Sequence, residues 1–243
     1  MLAIFKREIQ SFFTSSIGYL VVGLFLVLSG LFLWVFKGPY NVFDYGFADL
    51  GKFFLLTPWV FLFLIPAITM KSFAEERKLG TLELIFIKPL PLWKTVLGKF
   101  FGALTLAILA IIPTGVYVYC VSQLGTTVGN LDMGLVIGSY FGLLFLTAAY
   151  TAIGIFTSTL TENQIVAFIL GTVLCFLIYY GFDALASLFS DGGLSLQTRN
   201  LGMKSHFDSV SKGVLDTRDL LYFGTLTAFF LFLTVSQLKT LNR

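Results

Sequence analysis

Charge is scarce in this sequence. Asp, Glu, Lys and Arg supply only 12% of the 243 residues, against about 25% in an ordinary soluble domain. So few charges cannot cover a water-facing surface. That excludes a soluble enzyme, a disordered chain and a nucleic-acid binder. Cysteine is nearly missing too: Cys120 and Cys175 lie inside apolar runs and form no C-x-x-C pair, so no disulfide framework or redox motif exists. The one histidine, His206, cannot build a metal centre with ligands this sparse, which argues against metalloenzyme chemistry. It reads as a surface residue of a loop.

Apolar residues, by contrast, make up 57% of the chain, and the mean hydropathy is +0.89. A helix needs about 20 apolar residues to cross a membrane. Six runs qualify: Ile17–Phe36, Phe53–Met70, Val96–Val121, Met133–Ser158, Ile165–Phe182 and Leu220–Leu238. Pro58 and Pro66 should shorten and kink the second, and Pro113 lies inside the third. The expected fold is an all-α integral membrane protein, a single transmembrane domain over 1–243 with six transmembrane helices. No connecting segment is long enough for a second core. The loop 190–218 has room for a cap or short re-entrant helices.

Basic residues set the expected orientation. With the N-terminus in the cytoplasm, the inner segments hold ten of the sixteen Lys and Arg (Lys6, Arg7, Lys71, Arg77, Lys78, Lys88, Lys94, Lys99, Lys239 and Arg243). The rule that cytoplasmic segments are rich in Lys and Arg then places both termini inside and 190–218 outside. The first span lacks a small-residue cleavage site and should stay as an anchor. Ahead of it, Leu2, Phe5, Ile9, Phe12 and Phe13 fall within about 100° of a helical wheel, with Lys6, Arg7, Glu8, Gln10 and Ser11 around the rest. Residues 1–15 therefore read as an interfacial helix with its apolar stripe in membrane lipid and its bases near anionic headgroups.

The polar stretch between the second and third runs, residues 71–92, is the most informative. Ser72 with Glu75 three residues on reads as a capping box that starts a helix. Arg77 and Lys78 suit its last turn, and Gly80 supplies a left-handed stop. Thr81 can cap a second short helix ending before Pro89, and Pro91 suits the first turn of the third run. These signals describe a rigid cytoplasmic elbow.

The elbow and the start of the third run resemble the coupling region of ABC-2 type transporter permeases. The residues that carry the resemblance are Glu75, Glu76, Arg77, Lys78, Gly80, Thr81, Leu82, Glu83, Leu84, Pro89, Leu90, Pro91, Val96, Leu97, Gly98 and Lys99. The interfacial helix, six spans and long outer loop extend it along the chain. The segment His206-Phe207-Asp208, with Gly213-Val214 and Asp216–Phe223, is similar to permeases tied to gliding motility and to nitrous-oxide reductase maturation, the former being nearer.

The resemblance implies an exporter-type half-permease of the bacterial inner membrane, non-catalytic itself and paired with a second permease subunit. A separate ABC ATPase would carry ATP and Mg. No G-x-x-x-x-G-K-[ST] loop exists here, since Gly98-Lys99-Phe100 lacks both the glycine-rich cradle and the Ser or Thr. The implied coupling residues are Ser72, Glu75, Glu76, Arg77, Lys78, Gly80, Thr81 and Glu83. Glu162, in the turn after the fourth run, reads as a solvated turn or a secondary ATPase contact. Asp183, at the outer end of the fifth run, reads as a boundary residue or a vestibule lining. Asp216, with Asp219, reads as the cap of the last helix. Charges inside the spans are almost absent, which argues against an ion or proton pump and favours a lipid-like cargo. The alternative is a non-transporting membrane scaffold that anchors a motility or assembly complex.

Overall fold

The computed structural model describes residues 1–83, 91–125, 131–213 and 216–241, and among these every regular element is helical. Six helical runs are long and apolar enough to cross a membrane: Gly18–Val35, Gly51–Lys78, Leu92–Leu124, Met133–Leu160, Gln164–Ala186 and Thr217–Leu241. They coincide with the six expected from hydropathy, and the second and third extend well beyond their apolar limits.

The fourth span is the axis of the bundle. It touches the second, third, fifth and sixth spans, the elbow helix and the second cap helix. Small residues allow this: Gly138, Ser139, Gly142, Ala149, Ala152, Gly154, Thr157 and Ser158 are all buried. Lipid tails are as apolar as leucine, so helices gain from close backbone approach and dispersion contacts rather than from hydrophobic exclusion. The hydroxyls of Thr147 and Thr151 donate to the carbonyls of Leu143 and Thr147 at 2.6 and 2.7 Å, so neither buried hydroxyl leaves its donor unmade.

At Gly154 the approach is closest. A Cβ there would lie 2.1 Å from Thr69 Oγ1, and Thr69 is fully buried. Gly154→Val should therefore lower thermal stability by about 1–3 kcal/mol through overpacking. Adding Thr69→Ala, which removes the clashing oxygen, should restore part of the loss. A melting curve followed by size-exclusion chromatography in detergent checks both variants, and an unchanged midpoint for Gly154→Val would contradict this packing.

Proline acts differently in the two spans that contain it. In the third, the α-helix Leu92–Ile111 passes through a 3₁₀ turn at Ile112–Thr114 before resuming at Gly115–Leu124. Pro113 cannot donate and crowds the preceding turn. The second span is not shortened as expected. Its helix Gly51–Thr69 runs through Pro58 and Pro66, and the Met70 amide donates to the Pro66 carbonyl at 2.8 Å. The first and fifth spans widen into π turns at Leu31–Val35 and Leu177–Gly181.

The N-terminal helix Leu2–Thr14 lies along the start of the third span. It rests in a notch made by Gly98 and Gly102, where a Cβ would meet Ile4 Cγ2 at 2.9 Å and Glu8 Cβ at 2.7 Å. This divides the expected lipid-facing stripe. Leu2 and Phe13 are exposed, Phe5 and Ile9 half-buried, and Phe12 joins the protein core. At the opposite end of the bundle, the loop 190–218 folds into cap helices Gly192–Arg199 and Met203–Val210. The second buries Met203, Phe207 and Val210, with Phe207 and Val210 set against Gly142 and Val210 also against Gly138 of the fourth span.

Candidate functional site

The elbow helix Lys71–Lys78 continues the second span almost without a break, because Met70 stays in the right-handed helical region. The capping box is therefore not formed. Ser72 is buried, with no helix start for it to cap. The stop is formed as expected. Gly80 has φ +67°, the Gly80 amide donates to the Arg77 carbonyl at 3.1 Å, and the Thr81 amide reaches the Glu76 carbonyl at 2.9 Å. These two bonds are the Schellman pattern, which a left-handed glycine closes without a Cβ clash. Pro91 is the residue just before the third span, not part of its first turn. The second short helix falls largely in 84–90, with Leu84, Pro89 and Leu90, outside the described residues.

Two ionic struts fix the elbow to the bundle. Lys99, 3% exposed in the third span, donates to Glu8 Oε1 of the N-terminal helix at 2.8 Å and to Glu76 Oε1 of the elbow at 2.9 Å. Its ammonium also lies 5.0 Å from the centre of the Phe73 ring, within cation–π range. One buried cation thus joins three elements. Arg77 makes the other connection: Nη1 donates to the Thr159 carbonyl at 2.8 Å and Nη2 to Glu162 Oε1 at 3.3 Å. The end of the fourth span, whose last carbonyls lack helical partners, is satisfied by a guanidinium there.

Glu76 and Arg77 are therefore held within the chain, and the structure brings Glu162 to the elbow. Glu75 is half-buried, while Lys78, Leu79, Gly80 and Glu83 are exposed on the elbow tip, with Thr81 half-buried between them. A cleft of about 260 Å³ separates the elbow from the N-terminal helix and is lined by Arg7, Ser11, Lys71, Glu75, Leu79 and Lys99 among others.

At the far end, Asp183 is ion-paired with the cap. Its carboxylate takes Arg199 on one oxygen and Lys204 on the other, the latter at 2.7 Å, and is 14% exposed. That carboxylate holds the Arg199 guanidinium above its ordinary pKa. Burial pushes the nearby Asp208 carboxyl up, against the pull of Lys204 and Lys212. Asp216 caps the last span as expected, accepting from the Arg218 amide at 2.9 Å. Among the described residues, no group of three His, Cys, Asp or Glu could hold a metal ion.

Two features escape sequence reasoning. Lys99 reads as one letter of a motif, although a lysine between Gly98 and Gly102 in an apolar helix is a charge flanked by a close-packing notch, which calls for a partner. His206 is not a surface residue: its ring is largely buried and bonded on both nitrogens.

The fold and site define a multi-pass helical membrane protein with a strutted elbow between its second and third spans. Residues 36–194, well over half of the chain, match the family described as ABC-2 family transporter protein. The chain belongs to that family and is a transporter membrane subunit. No curated protein matches it.

Proposed function

We propose that this chain is the permease subunit of an ATP-driven exporter, with hydrolysis carried out by a separate ABC ATPase docked on the elbow. The family membership supports the transporter class. The observation that carries the coupling is the clamping of Lys71–Lys78 by Lys99 and Arg77. A segment that transmits force to the bundle has to be stiff, and this one is tied to the N-terminal helix, the third span and the fourth. Movement of the elbow would then carry spans two, three and four together, a rigid-body change biased by the partner's two states.

In this reading the exposed Lys78, Leu79 and Glu83 with half-buried Glu75 meet the ATPase, and Glu162 adds a contact beside them. The elbow and both termini face the cytoplasm of a bacterial inner membrane, and the cap helices face outward. A second permease subunit completes the path. ATP and Mg belong to the partner chain. The likeness to gliding-motility permeases supports transmembrane work of that kind. A scaffold that moves nothing has no need of a stiffened elbow. The test is purification of the tagged chain in mild detergent: an ATPase bearing a phosphate loop should come with it at near-equal amounts. Recovery of the intact chain with other proteins and no ATPase would favour the scaffold.

A further inference from the structure

The second cap helix is fastened to the last span through His206. Its Nδ1 lies 2.6 Å from Asp219 Oδ1 and its Nε2 lies 2.8 Å from the Asn200 carbonyl oxygen. A carbonyl only accepts, so Nε2 carries a hydrogen. The short contact to the carboxylate needs another proton between Nδ1 and Oδ1, whichever atom holds it. The imidazole is stacked on Tyr222 with ring centres 4.0 Å apart and planes 21° from parallel, and the Tyr222 hydroxyl donates to the Leu201 carbonyl at 2.7 Å. Asp219 is buried in the first turn of the last span. Its Oδ2 has no hydrogen-bond partner among the described residues, and its Oδ1 is paired with His206.

We propose that the proton held between His206 and Asp219 fastens the cap over this end of the bundle, making cap docking pH-dependent. With the proton present, the ring satisfies both acceptors and the buried carboxylate is balanced. Without it, the neutral ring has one hydrogen for two acceptors, so either the Asp219 carboxylate or the Asn200 carbonyl faces a nitrogen lone pair and loses its hydrogen bond. Docking is favoured in acid and weakened as pH rises, because the docked state binds one proton more.

The other charged groups around the ring do not replace this pair. The fourth span presents Gly138, Ser139 and Gly142 to the cap, none of them titratable. The turn at Leu177–Gly181 brings Tyr179 and Tyr180, and Tyr180 lies under Lys204. Asp183 is occupied by Arg199 and Lys204. On the cap helix itself, Asp208 is the remaining acid, and its protonation would not alter the hydrogen bonds of His206. Cap docking through His206 is independent of any ATPase at the elbow.

The experiment measures thiol labelling of Met203→Cys, a fully buried position beneath the cap, in purified chain carrying Cys120→Ala and Cys175→Ala. Each rate is divided by that of exposed Gln197→Cys at the same pH, which removes the intrinsic thiol dependence. Across roughly pH 5 to 8, where imidazole changes charge, the ratio should rise at least about tenfold, equivalent to about 1.4 kcal/mol. In the neutral pair His206→Gln with Asp219→Asn, which needs no titrating proton, the ratio should be flat. A flat ratio with the native pair, or a pH dependence that persists in the neutral pair, would overturn the proposal.

Discussion

Replacing Lys99 with methionine should destabilise the protein by about 3–5 kcal/mol, the cost of breaking a buried ion pair from one side. Methionine fills much the same volume, so the loss is electrostatic. Glu8 and Glu76 would face each other, 16% and 13% exposed, without the cation that both oxygens contact. The cleft beside them admits some water, which places the expected value toward the lower end. The N-terminal helix should detach from Gly98 and Gly102, and the elbow should loosen from the third span. The triple variant Glu8→Gln, Glu76→Gln, Lys99→Met is expected to recover most of the stability, because neutral groups leave no stranded charge. Melting midpoints and protease sensitivity of residues 1–15 check this. A single Lys99→Met variant as stable as wild type would show that the triad holds nothing together.

The second large effect lies on the elbow's outer face. Glu75→Lys with Lys78→Glu keeps the helix, the Gly80 stop and both internal struts, since neither residue makes them. It inverts the charge pattern offered to a partner. Losing one side of a desolvated interfacial pair costs about 2–5 kcal/mol, so ATPase affinity should fall by at least about tenfold. The melting curve of the permease alone should move little, since taking an exposed base out of the last helical turn costs only about 0.3–1 kcal/mol. Titration of the purified ATPase against wild-type and reversed permease in nanodiscs reads the difference, and equal affinities would remove these two residues from the interface.

The spans were legible because a membrane imposes a length and a composition on each crossing, and both are written in consecutive residues. The Gly80 stop was legible for a similar reason: Arg77, Lys78 and Gly80 signal a helix end within one turn. Ser72 and Glu75 misled because a capping box needs free amides, and the helix from Gly51 arrives with those amides already bonded. A proline at 66 removes one donor, too little to end a helix whose far side is buried against the fourth span. Partners far apart in sequence were illegible. Glu8 and Lys99 stand 91 positions apart, Arg77 and Glu162 85, and periodicity says which face of a helix is apolar, not which helix it meets. His206 and Asp219 are joined only once the cap folds back over the bundle.

If the elbow transmits ATP-driven force, ATP turnover by the assembled complex must depend on it. Permease and ATPase are reconstituted together in nanodiscs with wild-type elbow and with Glu75→Lys, Lys78→Glu, at ATPase concentrations that saturate the wild type. Turnover above that of free ATPase is expected with the wild-type elbow, falling to the free-ATPase rate with the reversed one. Turnover that is the same for both elbows and for ATPase alone would contradict the coupling role and leave the elbow as an anchor.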